Sequence, residues 1–165
     1  MDASRKRSVG LSIALVAATV IWLAFTRFGP DPSAELIGQH PNLQVLAPYN
    51  GKVTLVNLFA TWCGPCIFEM PDLDKLQAAH PTDLAVVGLQ VDDKGGTPLP
   101  AFAKRVGVTY TLIDANDNPD IEREFGAIEV LPVSILIDRS GAIVGARTGG
   151  TTLAEFERWV APFLK

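Results

Sequence analysis

The stretch Val53-Thr-Leu-Val-Asn-Leu-Phe-Ala60, continued by Thr61-Trp62-Cys63-Gly64-Pro65-Cys66, decides the fold. Its first eight residues are a short apolar run that follows the turn signal Asn50-Gly51, the pattern of a strand buried on both faces of a parallel sheet. Pro65 to about Ala79 then fits a helix. Pro71 lies inside it, and a kink is expected there because proline has no N–H for the helical ladder. Cys63 and Cys66, the only cysteines in the chain, therefore stand where a buried strand hands over to a helix.

That placement favours reactivity over cross-linking. A bridge across two intervening residues closes almost no loop and removes little chain entropy, so a purely structural disulfide is poorly motivated. Cys63 at a helix N-terminus would instead meet free backbone N–H groups and the positive end of the helix dipole, which favour a thiolate. A thiolate attacks disulfides, and Cys66, one turn further in, is placed to resolve the mixed disulfide. Two metal readings compete with redox exchange. Zinc would want four ligands, and beyond the cysteine pair the chain offers His40 and His80, each followed by proline in a loop-like context. Soft thiolates suit Cu(I), but no obvious His or Met ligand accompanies them. No metal or cofactor is assigned.

Downstream, strand and helix signals alternate without internal repeats. Leu84–Val91 reads as a second buried strand. A variable stretch containing Gly95-Gly96 leads to a helix near Leu99–Val106, a short segment around Thr111–Ile113 and a helical turn at Pro119–Phe125. Val133–Ile137 and Ala142–Arg147 form a hairpin about Asp138-Arg-Ser-Gly141. A last helix begins at Thr152, where Glu155 completes the spacing of a capping box. The order implies an α/β domain with a mixed central sheet flanked by helices.

Upstream, Val9–Phe25 is an uncharged, largely apolar run of 17 residues. At about 1.5 Å per residue it gives roughly 26 Å of helix, near the lower limit for a bilayer. Arg5-Lys6-Arg7 before it would hold that end in the cytoplasm and send the remainder outward. A cleaved signal peptide would end in a small-x-small site, whereas this run ends Trp-Leu-Ala-Phe-Thr-Arg-Phe, so an uncleaved anchor is favoured. The organisation expected is a cytoplasmic tip and transmembrane anchor over 1–28, a linker over 29–42 containing Gly29-Pro30-Asp31-Pro32-Ser33, and a folded domain over 43–165. Residues 1–28 carry Arg5, Lys6, Arg7 and Arg27 against Asp2, a net of +3; the chain as a whole is at −4, which leaves −7 on the rest. An acidic folded part lacks the basic footprint of a nucleic-acid binder.

FATWCGPC at the end of an apolar strand resembles the thioredoxin superfamily. Glu69 and Pro71 extend it to WCxPCxxExP, VVGLQVDD resembles a second strand motif, and Phe125-Gly126…Leu131-Pro132-Val-Ser-Ile-Leu-Ile-Asp138 resembles a third. Together these are similar to the membrane-anchored TlpA/ResA branch, which includes thioredoxin-like proteins of cytochrome c maturation, over roughly residues 43–165. The resemblance implies a thioredoxin-like fold preceded by one transmembrane helix, anchored in the cytoplasmic membrane with its catalytic domain on the periplasmic or extracytoplasmic side. It implies a thiol–disulfide oxidoreductase acting through Cys63 and Cys66, with Pro132 as a cis-proline beside the cysteines. Trp62, Gly64, Pro65, Leu131 and Val133 would complete the substrate-contacting set. Exported proteins with cysteines, such as apocytochrome c or a copper-site subunit, are the implied substrates, and a membrane electron relay the implied reductant. Gly64-Pro65, the dipeptide of reducing thioredoxins, favours a reductase; a disulfide-forming oxidase and a Cu(I)-binding assembly factor are the alternatives.

Glu69 lies three residues from Cys66, in the sector shared with Met70, Leu73 and Leu76, while Asp72 and Lys75 read as the solvated side. A buried carboxylate there would raise thiol pKa values or relay protons; the other reading is a glutamate that snorkels outward. Asn57 occupies the position where cytoplasmic thioredoxins carry a buried Asp, which leaves Glu69 as the candidate proton acceptor. Phe68 projects outward beside the pair, either as a docking spot for a partner or as one exposed aromatic. The stretch before Asn50 is short for the branch, and a reduced N-terminal hairpin is expected.

Overall fold

The computed structural model describes residues 36–91, 97–116, 118–126 and 128–164. The expected anchor over 1–28, the first half of the expected linker, and Asp92-Asp93 and Gly95-Gly96 lie outside the described residues. Among the described residues, no helix is long and apolar enough to cross a membrane.

Among the described residues, a 3-10 helix over Gln44–Tyr49 precedes the sheet and no N-terminal hairpin is present. Five strands follow, β1 (Val53–Phe59), β2 (Leu84–Gln90), β3 (Thr111–Asp114), β4 (Val133–Ile137) and β5 (Ile143–Thr148), with four helices between and after them. These are α1 (Gly64–Ala79), α2 (Leu99–Val106), α3 (Pro119–Phe125) and α4 (Leu153–Val160). The sheet order is β3-β2-β1-β4-β5. β2 runs parallel to β1 and to β3, while β4 is antiparallel to β1 and to β5, so the sheet is mixed as expected. Central position explains the largely apolar character of β1 and β2, since every residue of both strands is buried.

The alternation of side chains along β1 divides the core in two. Val53, Leu55 and Phe59 face a layer built from Met70, Leu73 and Leu76 of α1, Phe102 of α2, and Phe156 and Val160 of α4; Cys63 and Cys66 belong to this cluster. Val56 and Leu58 face the other way, toward Ile121 and Phe125 of α3 and toward Leu43 and Leu46. Asn57 falls on the α1 side by the same count. Phe59 and Phe102 stack with ring centroids 5.6 Å apart, joining β1 to α2.

Gly88 of β2, beside Asn57 in register, faces this crowded layer. A Cβ there would lie 2.6 Å from Leu112 Cδ2, 3.1 Å from Phe59 Cε1 and 3.3 Å from Tyr110 Cε2. Overpacking of this kind typically costs about 1–3 kcal/mol. Gly88→Ala should therefore lower the denaturant midpoint by that amount with an unchanged slope, and an unaltered midpoint would show that the layer has slack.

Three sequence expectations are corrected by tertiary contacts. Gly38 N donates to Ile143 O and Ile143 N to Gln39 O, both at 2.8 Å, so part of the expected linker pairs with the start of β5. β5 begins at Ile143, not Ala142, because Asp138 Oδ1 takes the N–H groups of Ser140 (2.8 Å) and Ala142 (3.1 Å) into the turn. Asp72 is half-buried and accepts from Leu153 N at 3.0 Å, holding the first turn of α4 as well as pairing with Lys75. The helix α1 continues through Pro71 to Ala79.

Candidate functional site

β1 delivers the chain to the rim of the sheet, and the turn after it places Cys63 at the N-cap of α1. Cys63 takes extended backbone angles there, and its Sγ accepts the Cys66 N–H at 3.3 Å. This satisfies one of the N–H groups that every helix start leaves free. Pro65, in the first turn, has no N–H to leave unpaired. Cys63 and Cys66 are joined as a disulfide, with Cys63 nearly and Cys66 fully buried. Around them Gly64 and Pro65 are exposed, as are Trp62 (62%) and Phe68 (89%), so the pair opens onto a surface with two large apolar side chains.

The segment Leu131–Pro132 has a cis peptide bond and leads into β4. Pro132 is buried, with Leu131 and Val133 half-buried on either side. Leu131 packs against the core cluster that contains both cysteines. The Pro132 carbonyl accepts Gly149 N–H at 2.8 Å, which ties this turn to the loop between β5 and α4.

Glu69 sits on the buried face of α1 with Cys66, Met70, Leu73 and Leu76, and is 3% exposed, which excludes the outward-snorkelling alternative. Residues three apart on a helix are neighbours, so Glu69 lies directly beneath Cys66. Its carboxylate accepts from Asn57 Nδ2 at Oε1 (2.7 Å) and from Thr151 N at Oε2 (2.9 Å). Burial pushes the carboxyl up to about 7, against the hydrogen bonds from Thr151 and Asn57, which pull it down. A group poised there can take and return a proton at neutral pH. Asn57 Nδ2 also donates to Ser134 Oγ at 3.1 Å. Burial, chiefly, with the Glu69 and Asp74 charges in support, holds the nearby Tyr110 hydroxyl in its neutral form.

The structure thus assembles Cys63, Cys66, Glu69 and Asn57 from one strand–helix junction and brings Thr151 to them from the far end of the chain. Thr151 acts through its backbone N–H, a group that no side-chain pattern in the sequence announces. Ser134 was detectable in principle, as the one hydroxyl within the apolar strand Val133–Ile137.

The redoxin family model matches residues 26–158. The chain belongs to the redoxin family. Within it, this redoxin is 32% identical over 132 residues to the thioredoxin-like protein YneN of Bacillus subtilis (strain 168), covering 78% of this chain and 74% of the relative. It is 29% identical over 155 residues to the thiol-disulfide oxidoreductase ResA of Geobacillus kaustophilus (strain HTA426), covering 87% of each. A crystal structure of a thiol:disulfide interchange protein from Chlorobium tepidum TLS superimposes with a TM-score of 0.63 at 32% identity, covering 73% of this chain and 85% of that one. The ResA-like resemblance read from WCGPCxxExP is thereby established. This redoxin is a thiol–disulfide oxidoreductase of thioredoxin-like fold with a Cys-x-x-Cys pair.

Proposed function

We propose that this protein reduces disulfides in exported proteins at the outer face of a cytoplasmic membrane. The observation that carries the mechanism is Glu69, a buried carboxyl held by Asn57 and Thr151 one helical turn below a disulfide capped at a helix N-terminus, where burial pushes it up to about 7. In the reduced enzyme, the Cys63 thiolate attacks a substrate disulfide, forming a mixed disulfide and expelling one substrate thiolate. Cys66 then gives its proton to Glu69 and attacks Cys63, closing the Cys63–Cys66 disulfide and releasing the second substrate thiolate. Two electrons pass to the substrate, and the thiol protons follow through Glu69 and solvent. Trp62, Gly64, Pro65, Leu131, Pro132 and Val133 form the contact surface for an extended substrate segment.

The charge pattern Arg5-Lys6-Arg7 before Val9–Phe25 supports membrane anchoring with the catalytic domain outside, and Gly64-Pro65 supports the reducing direction. Clients that fit are the haem-binding cysteines of apocytochrome c or a copper-site cysteine pair, with a membrane dithiol relay restoring the reduced form. Equilibration against defined thiol buffers tests the direction. A reductase should poise near the thioredoxin value of about −270 mV, while a potential near about −120 mV would make the protein an oxidant.

A further inference from the structure

Asn57 is a polar residue with no exposure at the centre of the sheet, on a strand whose neighbours on the same face are Leu55 and Phe59. An amide in that position is costly unless its hydrogen bonds are made. Both Nδ2 hydrogens are used, one on Glu69 Oε1 at 2.7 Å and one on Ser134 Oγ at 3.1 Å. Its Oδ1, by contrast, has no hydrogen-bond partner among the described residues. The amide is therefore held in the orientation that serves Glu69, at the expense of its own carbonyl. Turning it over would aim a second acceptor at the carboxylate and leave two N–H groups unpaired.

The other groups facing Glu69 make that donor important. No lysine, arginine or histidine pairs with Glu69 among the described residues, and Tyr110, the titratable side chain whose environment feels the Glu69 charge, is neutral. From the β5–α4 loop comes the backbone N–H of Thr151. From β4, Ser134 reaches the carboxylate through Asn57. Asn57 is thus the side-chain donor that favours the ionised carboxylate over its buried acid.

We propose that Asn57, its amide orientation pinned by Ser134, is a positioning residue that keeps Glu69 able to release and regain a proton at neutral pH. This rests on the reading of Glu69 as the proton acceptor of Cys66. Without the Asn57 donor, burial would hold the proton on Glu69 more tightly, and the carboxyl would stay protonated through the neutral range.

The test is a pH titration of the Glu69 side-chain carboxyl by carbon-13 NMR in the full oxidised chain in detergent micelles, with Glu69→Gln identifying the resonance. Asn57→Ala should raise the midpoint by about one unit. Ser134→Ala should raise it by less, because the freed amide no longer holds its N–H on the carboxylate. Unmoved midpoints in both variants overturn the proposal. Should Asn57→Ala fail to fold, Ser134→Ala decides alone: an upward move supports the proposal and an unmoved midpoint overturns it. The pH profile of disulfide reduction separates the two readings. If the NMR midpoint rises while the rate profile stays in place, Asn57 positions Glu69 as proposed, and the role of Glu69 in the exchange is what falls.

Discussion

Cys63→Ser is expected to reduce the rate of insulin-disulfide reduction by roughly a thousandfold or more, to the background of the assay. Serine keeps the N-cap, since its oxygen can accept the Cys66 N–H as Sγ does, so α1 should start as before. What is lost is the thiolate. A hydroxyl at this position has no base within the described geometry to activate it, and Glu69 lies beneath Cys66 on the buried face. The contrast with Cys66→Ser is the informative part. That variant retains the attacking group and should complete half a reaction, leaving the substrate attached through Cys63. Equal loss of the first half-reaction in both variants would mean that Cys63 is not the attacking sulfur.

Glu69→Gln should slow turnover by about a hundredfold or more, the usual range for a positioned acid–base group. The amide cannot accept a proton from Cys66, so the mixed disulfide should live longer and the inflection near pH 7 should vanish from the rate profile. Stability gives a second readout. The Glu69 carboxyl goes from an ordinary 4.5 to about 7 on folding. The folded protein therefore binds this proton more tightly than the unfolded chain. The resulting stabilisation is complete below pH about 4.5 and is lost as pH rises through about 7, a difference on the order of 3 kcal/mol. In the Gln variant that decline between pH 5 and 8 should disappear. A wild-type stability that is flat over this window would contradict a carboxyl buried in its acid-favouring site.

Much of this site could be read from one segment of chain. The apolar run Val53–Ala60 and the spacing of the cysteines defined a strand, a helix start and a redox pair, because those properties are local. The helical period put Glu69 on the face of Cys66, Met70 and Leu73, and its burial follows. Pro132 entered through resemblance, and its peptide bond is cis. What escaped the reading is what the fold brings from a distance. Thr151 reaches Glu69 with a backbone N–H across 82 positions, and any residue but proline could offer that group. Asp72 looked like a solvated side chain because its partner Leu153 is on another helix, 81 positions away. In the sequence Asn57 stands out by the aspartate it replaces; its role as a donor depends on β4 and α1, which the fold sets around it.

The most direct measurement of dithiol exchange is capture of a partner by the full-length Cys66→Ser protein in its own membrane extract, followed by mass mapping of the linked peptides. Partners should be joined through Cys63 by a disulfide that dithiothreitol releases, and should be drawn from exported proteins with paired cysteines. Recovery of the variant with a free Cys63 and no mixed disulfide, under conditions where the wild type turns over, would rule out dithiol exchange through Cys63.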